Sequence, residues 1–208
     1  MTTKSASATA GSRPPDLDHL NWLERYHPVA WQDRRVLDLG CGSGYLCAHA
    51  RKSGAQAAVG VDLKDPDVPP EAAGWTFQKF DLDADGWGRG VATQGRFDYV
   101  FAFDILEHVS SPVRFLGEIR NALSPNGRLV LTTPNTSSWE RVFRGDRWSG
   151  ATDPTHRVLF TPYSLRFLLE RSGFKPLKLI APMRKLEFLG PATPMIGAQI
   201  FCAAEVTA

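Results

Sequence analysis

The segment VLDLGCGSGYL, residues 36–46, constrains the fold more than any other part of the sequence. It places Gly40, Gly42 and Gly44 between a short apolar run and a stretch with helical character, YLCAHARKSG. Such glycines permit a tight turn and let the backbone approach a ligand without interference from a Cβ atom. The helix that follows offers unpaired N–H groups at its N-terminus. The loop therefore predicts either a ligand-binding turn or a plain connection between a strand and a helix.

Two aspartates end the next two predicted strands. Asp62 closes the second strand in VGVDL, and Asp81 follows the third strand in WTFQKFDL. At these positions Asp62 can accept hydrogen bonds from both ribose hydroxyls of a nucleotide, and Asp81 can accept one from an adenine amino group. Asp62 could instead cap a loop, and Asp81 could be solvated beside Asp83 and Asp85. Because ligands bind at the carboxyl ends of parallel strands, the three features together favour a nucleotide-like ligand.

Strands and helices alternate along most of the chain. After a predicted helix from Asp16 to about Trp31, strands are predicted in RRVLDLG, AAVGVDL, WTFQKFDL, FDYVFAFDI and RLVLTTPN, and helices in YLCAHARKSG, SPVRFLGEIRNALSPNG and TPYSLRFLLERSGF. This alternation predicts an α/β fold with a doubly wound, mostly parallel sheet and helices on both faces. The last two strands, FKPLKLI and AQIFCAAEV, lie too close for a helical crossover, so we expect an antiparallel closing strand.

Length and composition predict one globular domain. The 208 residues are enough for a sizeable core, and residues 1–15, which are small and polar, predict a disordered tail before a domain at 16–208. The net charge of +2, without a cluster of Lys or Arg, gives no reason to expect a nucleic-acid partner. The three cysteines are scattered, which argues against a disulfide framework. No segment predicts a transmembrane helix or a signal peptide, so we expect a cytoplasmic protein.

The spacing of the glycines separates two classes of nucleotide ligand. A dinucleotide fingerprint is G-x-G-x-x-G, whereas this loop reads G-x-G-x-G and its third glycine is misplaced. Asp38 also lies at the entry of the loop, where it suits a cationic part of a ligand better than a phosphate. A nicotinamide-dependent oxidoreductase and a catalytically silent cofactor-binding module remain alternatives at this point.

The sequence resembles the class I S-adenosylmethionine-dependent methyltransferases over roughly residues 20 to 206. VLDLGCGSGYL, VGVDL and FDLDA are similar to their first three motifs, and FDYVFAFDILEHV and LSPNGRLVLTTPN to their fourth and fifth strands. The resemblance implies a Rossmann-like fold and S-adenosylmethionine as methyl donor, with S-adenosylhomocysteine as product. By the same resemblance, cofactor-binding residues are Asp38, Gly40, Cys41 and Gly42 at the methionine part, Asp62 and Leu63 at the ribose, Asp81 and Leu82 at the adenine, and Asp104. Cys41 is expected to pack in the loop and not to act as a nucleophile.

The polar end of FAFDILEHV carries the candidate catalytic groups. Together with TTPN and DPTHRVLFTPYSLRFLLERSGF it is most similar to the ubiquinone-biosynthesis O-methyltransferase branch. The resemblance implies that Asp104, Glu107, His108 and His156 are candidate ligands of a divalent metal that grips the acceptor. Asp104 stands where Glu is usual, which retracts one ligand oxygen. His108 or His156 could instead act as a general base, or Glu107 and His108 could only shape the pocket floor.

The segment TSSWERVFRGDRWSGATDPTHRVLF, residues 136–160, predicts an acceptor-side lid, because such long aperiodic insertions are usually functional. Three aromatic residues and three arginines could form its walls and grips; they are Trp139, Phe143, Trp148, Arg141, Arg144 and Arg147. The aromatics could instead pack the lid down. The arginines favour an anionic or aromatic small-molecule acceptor. The sequence thus predicts an S-adenosylmethionine-dependent methyltransferase acting on a small molecule, at a hydroxyl oxygen, with nitrogen and carbon acceptors left open.

Overall fold

The computed structural model describes residues 15–66, 70–183 and 195–207. Their strands are β1 (Arg35–Leu39), β2 (Ala57–Asp62), β3 (Thr76–Lys79), β4 (Phe97–Phe103), β5 (Leu123–Pro134), β6 (Phe174–Ile180) and β7 (Gln199–Val206). Their helices are α1 (Pro15–Tyr26), α2 (Tyr45–Lys52), α3 (Trp87–Val91), α4 (Pro112–Ala122), α5 (Trp139–Arg144), α6 (Ser149–Thr152) and α7 (Pro162–Arg171), with short 3-10 turns at Pro70–Ala73, Ala92–Gln94 and Gly145–Arg147. None of the helices in these ranges is long and apolar enough to cross a membrane.

The strands form one sheet in the order β3-β2-β1-β4-β5-β7-β6. β1 pairs in parallel with β2 and β4, β2 with β3, and β4 with β5. β7 inserts between β5 and β6 and runs antiparallel to both. The predicted Rossmann-like sheet with an antiparallel closing strand is therefore confirmed. Because β1, β2, β3 and β4 are parallel, their carboxyl ends lie along one edge of the sheet. The strand order reverses between β1 and β4, and ligands of such sheets bind in the crevice at this point.

Alternation along the strands fills one apolar core on each face of the sheet. On β4, Val100 and Ala102 point to one core, and Tyr99 and Phe101 point to the other. The first core is completed by α3, α4 and α7, and the second by α1 and α2. Period-two alternation in a strand with both faces buried requires apolar residues at nearly every position, as the sequence of β4 has. The expected helices on both faces are thus confirmed.

Several boundaries differ from the sequence predictions. Helix α1 ends at Tyr26 and not near Trp31, since Pro28 lacks the N–H that a helix requires. Helix α4 ends at Ala122 and β5 begins at Leu123, so the helix is shorter than the predicted segment SPVRFLGEIRNALSPNG. The 136–160 insertion contains the short helices α5 and α6, which its weak periodicity did not predict. Residues 1–14 of the predicted tail, and 184–194 between the last two strands, lie outside the described residues.

Candidate active site at the carboxyl edge of the sheet

The glycine loop after β1 adopts backbone conformations that favour glycine. Gly40 and Gly44 have φ values of 70° and 75°, in the left-handed region. A Cβ atom on Gly40 would overlap the Ile105 side chain, and one on Gly44 would overlap Trp75. The Gly40 amide donates to the carbonyl of Val61 at 2.8 Å, which fixes the loop to the end of β2. The loop is therefore a tight turn in which Gly40 and Gly44 leave no room for a side chain.

Asp62 ties this loop to the end of β2. Its Oδ2 accepts a hydrogen bond from the Gly42 amide at 3.0 Å, and its Oδ1 accepts from the amides of Leu63 and Lys64 at 2.7 and 3.2 Å. A carboxylate has about four lone-pair positions, so three backbone donors leave capacity for a ligand hydroxyl. The loop-capping alternative for Asp62 and a ligand role are consequently compatible with each other.

A cleft of about 200 Å³ opens beside the loop. It is lined by the ends of β2, β3 and β4, with the residues Gly40, Asp62, Leu63, Phe80, Asp81, Leu82, Asp83, Ile105, His108 and Val109. The cleft thus brings the predicted ribose-side and adenine-side residues together with one of the two candidate catalytic histidines. Asp81 accepts from the Asp83 amide at 2.8 Å, which fixes the carboxylate of Asp81 at the cleft wall.

Asp83 connects the adenine side of this cleft to Ser110, after β4, and to Arg157 in the 136–160 insertion. Its carboxylate accepts from the amide and hydroxyl of Ser110 at 2.7 and 2.9 Å, and it lies 3.2 Å from Nη1 of Arg157. Although burial opposes ionisation, the bonds from Ser110 and the charges of Arg157 and Arg114 lower the pKa of Asp83. No local pattern in the sequence marks this contact, because Ser110 and Arg157 are distant from Asp83 along the chain.

A second, smaller pocket of about 60 Å³ adjoins the other side of the loop. It is lined by His19, Asp38, Gly40, Cys41, Leu46 and Phe103, so it contains the predicted methionine-side residues. Gly40 lines both pockets, which makes them neighbours. Burial and the charges of Asp38 and Asp62 raise the pKa of the Cys41 thiol well above its usual range. A raised pKa disfavours the thiolate that a nucleophile requires, and the packing role of Cys41 stays a prediction.

Asp104 follows β4 in an unusual backbone conformation. Its φ of 53° is uncommon for a residue other than glycine. Its Oδ1 accepts from Gln199 Nε2 at 2.9 Å and from Thr132 Oγ1 at 3.0 Å. Its Oδ2 lies 3.2 Å from His19 Nε2. Burial opposes ionisation, but these hydrogen bonds and the proximity of His19 lower the pKa of Asp104 below its usual value.

Glu107 is the most deeply buried acid of the edge. Its residue surface is 1% exposed, its Oε2 accepts from Thr133 Oγ1 at 3.0 Å, and its Oε1 has no hydrogen-bond partner within the described part of the protein. Burial, and next the charge of Asp104, raise the pKa of Glu107 to about 8. A buried carboxyl oxygen without a partner is costly, and it points to a proton or a ligand at this position.

Glu107, His108 and His156 form one cluster. Each offers a ligand atom, and these atoms lie within 4.8 Å of one another. The two imidazole rings have centroids 4.8 Å apart. One carboxylate and two imidazoles suit a borderline divalent cation such as Mn²⁺, Fe²⁺ or Zn²⁺. Of the four candidate ligands from the sequence, the structure brings these three together and holds the Asp104 carboxylate with His19, Gln199 and Thr132 instead.

Hydrogen bonds define the tautomers of both histidines. Thr155 donates its hydroxyl to Asp153 at 2.6 Å, so its contact of 3.0 Å with His108 Nδ1 requires that nitrogen to donate. His156 Nδ1 lies 2.8 Å from the carbonyl of Gly150, which can only accept. Both rings therefore carry their proton on Nδ1 when neutral, and Nε2 is left as an acceptor. This is the state that both a general base and a metal ligand require.

One aromatic side chain of the 136–160 insertion is buried, and two are exposed to solvent. Trp148 is buried and lies against Gly150, as in the packing alternative. Trp139 and Phe143 are exposed and contact each other with centroids 4.5 Å apart. Neither lines the two pockets at the glycine loop. The amides of Arg157 and Val158 donate to the carbonyl of Glu107 at 2.8 and 3.2 Å. These bonds fix the segment that carries His156 to the end of β4.

Sequence reasoning missed four residues that shape the edge: His19, Thr132, Thr133 and Gln199. The two threonines end β5, next to β4, so their position beside residues 104–107 was available from the predicted sheet. His19 lies on α1 and Gln199 opens β7. No local pattern marks either of them, because their partner Asp104 is distant in the sequence.

Comparison with known proteins agrees with this geometry. A family model described as a methyltransferase domain matches residues 17–179. The ubiquinone biosynthesis O-methyltransferase of Cereibacter sphaeroides is 30% identical over 161 residues, which cover 72% of this chain and 64% of that protein. The tRNA U34 carboxymethyltransferase of Alcanivorax borkumensis is 36% identical over 113 residues, 51% of this chain and 34% of that protein. The chain thus spans less than two thirds of the length of these relatives.

A solved structure shares the fold across nearly the whole chain. It is the 1,6-didemethyltoxoflavin-N1-methyltransferase of Burkholderia thailandensis with bound 1,6-didemethyltoxoflavin and S-adenosylhomocysteine. Its TM-score is 0.60 at 18% identity, over 97% of this chain and 94% of that chain. The nicotinamide-dependent alternative is set aside, because the family model covers most of the chain and describes a methyltransferase. The chain belongs to the class I S-adenosylmethionine-dependent methyltransferases, which use S-adenosylmethionine as methyl donor and release S-adenosylhomocysteine.

Proposed function

We propose that the protein transfers a methyl group from S-adenosylmethionine to a hydroxyl oxygen of a small molecule. The observation that carries this proposal is the position of His108, which lines the cofactor cleft and also belongs to the cluster with Glu107 and His156. Groups that can take a proton or hold a cation thus lie beside the cleft that would hold the donor. A hydroxyl gains most from such groups, since it becomes a strong nucleophile only as it loses its proton.

The two pockets at the glycine loop divide the cofactor between them in this proposal. Asp62 and Leu63 contact the ribose, and Asp81 and Leu82 contact the adenine in the larger cleft. The smaller pocket takes the methionine part, with Asp38 placed for its ammonium group and Gly40, Cys41 and Gly42 as loop contacts. Asp104 lies next to this pocket. The cofactor supplies a methyl group already activated by a sulfonium, so the remaining task of the protein is alignment and exclusion of water.

The histidine cluster handles the acceptor proton. Nε2 of His108 or His156 accepts the proton of the hydroxyl, and the bonds from Nδ1 to Thr155 or Gly150 hold each ring in place. Glu107, with its pKa raised to about 8, is mostly uncharged near neutral pH. If a divalent cation is held, Glu107, His108 and His156 are its ligands in this proposal. The cation would lower the pKa of the acceptor hydroxyl.

A transfer assay with tritiated methyl donor tests the proposal. The acceptor panel contains vicinal diols, single hydroxyls, amines and bulk tRNA, each with added Mn²⁺ and with chelator. The expected result is label in a hydroxylated small molecule and its loss in His108→Ala or His156→Ala. His49→Ala, on α2 and outside both pockets, is the matched control and should keep full transfer.

The panel also distinguishes the competing acceptors. Label confined to amines would replace oxygen by nitrogen as the acceptor atom, and label confined to tRNA would replace the small molecule. Transfer that persists in chelator but is lost with either histidine assigns the cluster to proton transfer. Binding of S-adenosylhomocysteine without transfer to any acceptor would support the silent cofactor-binding module and contradict the proposal.

A further inference from the structure

We propose that His19 is a positioning residue that fixes helix α1 over the methionine end of the cofactor pocket by its contact with Asp104. His19 lines the smaller pocket with Asp38 and Gly40, and nothing in the glycine loop motif points to it. The inference rests on the proposed placement of the cofactor, and it adds a residue from an element outside the strand ends.

Two contacts fix the His19 ring. Its Nε2 lies 3.2 Å from Oδ2 of Asp104, and its plane stacks on Phe103 with centroids 4.5 Å apart and 23° between the planes. The side chain is 18% exposed. A ring held by a face contact and by a bond at one nitrogen has little rotational freedom, so the pocket wall that it forms is preorganised.

Other hydrogen bonds hold the Asp104 carboxylate in position for its contact with His19. Its Oδ1 is already satisfied by Gln199 and Thr132, which orients Oδ2 toward α1. Its amide also lies within 3.2 Å of both the carbonyl and the hydroxyl of Thr132. A residue other than glycine with a φ of 53° persists only where its surroundings over-determine it, and such residues cluster at functional sites. Hydrogen bonds at the amide and at both carboxylate oxygens thus hold Asp104 in this conformation.

The rest of α1 is attached differently. Leu20 and Leu23 are buried in the core between α1 and the sheet, and Lys178 donates to the carbonyl of Tyr26 at 2.8 Å. Those contacts dock the centre and the C-terminal end of the helix. His19 connects the N-terminal half to the strand edge where the cofactor pockets lie. Loss of the His19 contact should therefore loosen the pocket wall without detaching the helix.

Binding of S-adenosylhomocysteine to the full-length protein tests the role of His19. Calorimetry gives the affinity, and stopped-flow fluorescence gives the dissociation rate, with Trp22 on the same helix as one reporter. His19→Phe keeps an aromatic face for Phe103 but removes the bond to Asp104, and His19→Gln keeps a side-chain donor. The expected result is an affinity about tenfold weaker for His19→Phe, mostly through faster dissociation, and affinity restored to within about threefold in His19→Gln.

Three controls separate this role from general damage. Asn21→Ala, at an exposed position of the same helix, should bind like the wild type. In an Asp104→Ala background, His19→Phe should add little, because the two residues act as one unit. Equal melting temperatures of His19→Phe and His19→Gln exclude unfolding as the cause of a difference between them.

Asp62→Ala separates failure of the proposal for His19 from failure of the cofactor placement. If the wild type and Asp62→Ala bind S-adenosylhomocysteine equally, the placement is wrong. If Asp62→Ala loses affinity while His19→Phe binds and releases the ligand like the wild type, the placement stands and the proposal for His19 is overturned. The proposal is equally overturned if His19→Gln is as impaired as His19→Phe, since a restored side-chain donor would then restore no affinity, although loss of the bond to Asp104 is the proposed cause.

Discussion

Asp104 and Glu107 lie three positions apart after the same strand, yet their surroundings shift their pKa values in opposite directions. Asp104 is 34% exposed at its side chain, accepts from His19, Gln199 and Thr132, and has a lowered pKa. Glu107 is 1% exposed, accepts from Thr133 through one oxygen, and has a pKa of about 8. At neutral pH the first is a carboxylate and the second is mostly a neutral acid.

The two pKa shifts differ because Asp104 accepts more hydrogen bonds from side chains than Glu107 does, although the two acids are close on the chain. Hydrogen bonds to the charged form stabilise it, and burial without such bonds disfavours it. Each state suits a different task. A permanently charged Asp104 can anchor helix α1. A neutral Glu107 can become charged when a base accepts its proton, or when a cation binds the carboxylate and the proton is released to solvent. The negative charge of Asp104 itself contributes to the raised pKa of Glu107.

Removing the charged acid is expected to have the largest effect. Asp104→Ala leaves the donors of His19, Gln199 and Thr132 without their acceptor, so we expect the free energy of unfolding to fall by about 3 kcal/mol. The affinity for S-adenosylhomocysteine should fall with it. Urea denaturation and calorimetry measure both quantities. The matched control is Asp85→Ala, at an acid with 80% side-chain exposure, and it should change stability by less than about 0.5 kcal/mol.

Addition of a divalent cation tests whether Glu107, which is mostly neutral without a metal, becomes a metal ligand. If Glu107, His108 and His156 hold a metal, Mn²⁺ or Zn²⁺ at about 100 times its dissociation constant stabilises the protein by about 2.7 kcal/mol. Thermal denaturation with and without each cation, together with elemental analysis, measures the effect. The shift should vanish in His156→Ala and persist in Asp104→Asn. Loss of the shift in Asp104→Asn as well would place Asp104 among the ligands and remove the distinction between the two acids.

The pH dependence of stability should differ between the wild type and Glu107→Gln. The folded pKa of Glu107, about 8, exceeds its ordinary value of 4.5, so the folded state binds more protons between these values. The contribution of Glu107 to the free energy of unfolding is therefore fully present below pH 4.5 and is lost as pH rises toward 8. Gln does not titrate. The advantage of Glu107→Gln over the wild type should grow by about 2 kcal/mol between pH 6 and pH 8 in urea denaturation. A constant difference across this range would contradict the raised pKa.

The smallest expected effects come from the neighbouring threonines of β5. Thr133→Val removes the donor to Glu107, and Thr132→Val removes one of the donors to Asp104. Each loss should lower the free energy of unfolding by about 1 kcal/mol and raise the pKa of the acid concerned. Glu107 then titrates above 8, whereas Asp104 moves back toward its usual value but stays charged at neutral pH. If Thr133→Val instead raised the pKa of Asp104, or Thr132→Val that of Glu107, the two hydroxyls would not be bonded as the structure has them.

The fold and the positions of the glycine loop and the strand-end acids were predictable because their determinants are local. Gly40 and Asp62 follow apolar strands within a few residues, and their spacing predicts a turn and an acid at one edge of a parallel sheet. The prediction for residues 104–108 was less complete. Adjacent positions suggested a single group of ligands, but the Asp104 carboxylate bonds to His19, Gln199 and Thr132 and is not part of the cluster of Glu107, His108 and His156.

The partners that separate the two acids could not be read from the sequence. His19 precedes Asp104 by 85 positions and Gln199 follows it by 95, so their contacts arise only when α1 and β7 close the fold. The orphan oxygen of Glu107 depends on which donors are missing from a buried site. No local pattern records a missing donor.

A carboxyl ¹³C NMR titration of the selectively labelled protein measures the contrast between Asp104 and Glu107 directly. Asp104→Asn and Glu107→Gln assign the two resonances. The structure predicts that Glu107 titrates near pH 8 and that Asp104 remains ionised below the usual aspartate pKa of 3.8. Titration of both carboxyls below pH 5, or protonation of Asp104 at a higher pH than Glu107, would contradict the opposite charge states on which the proposed roles of the two acids depend.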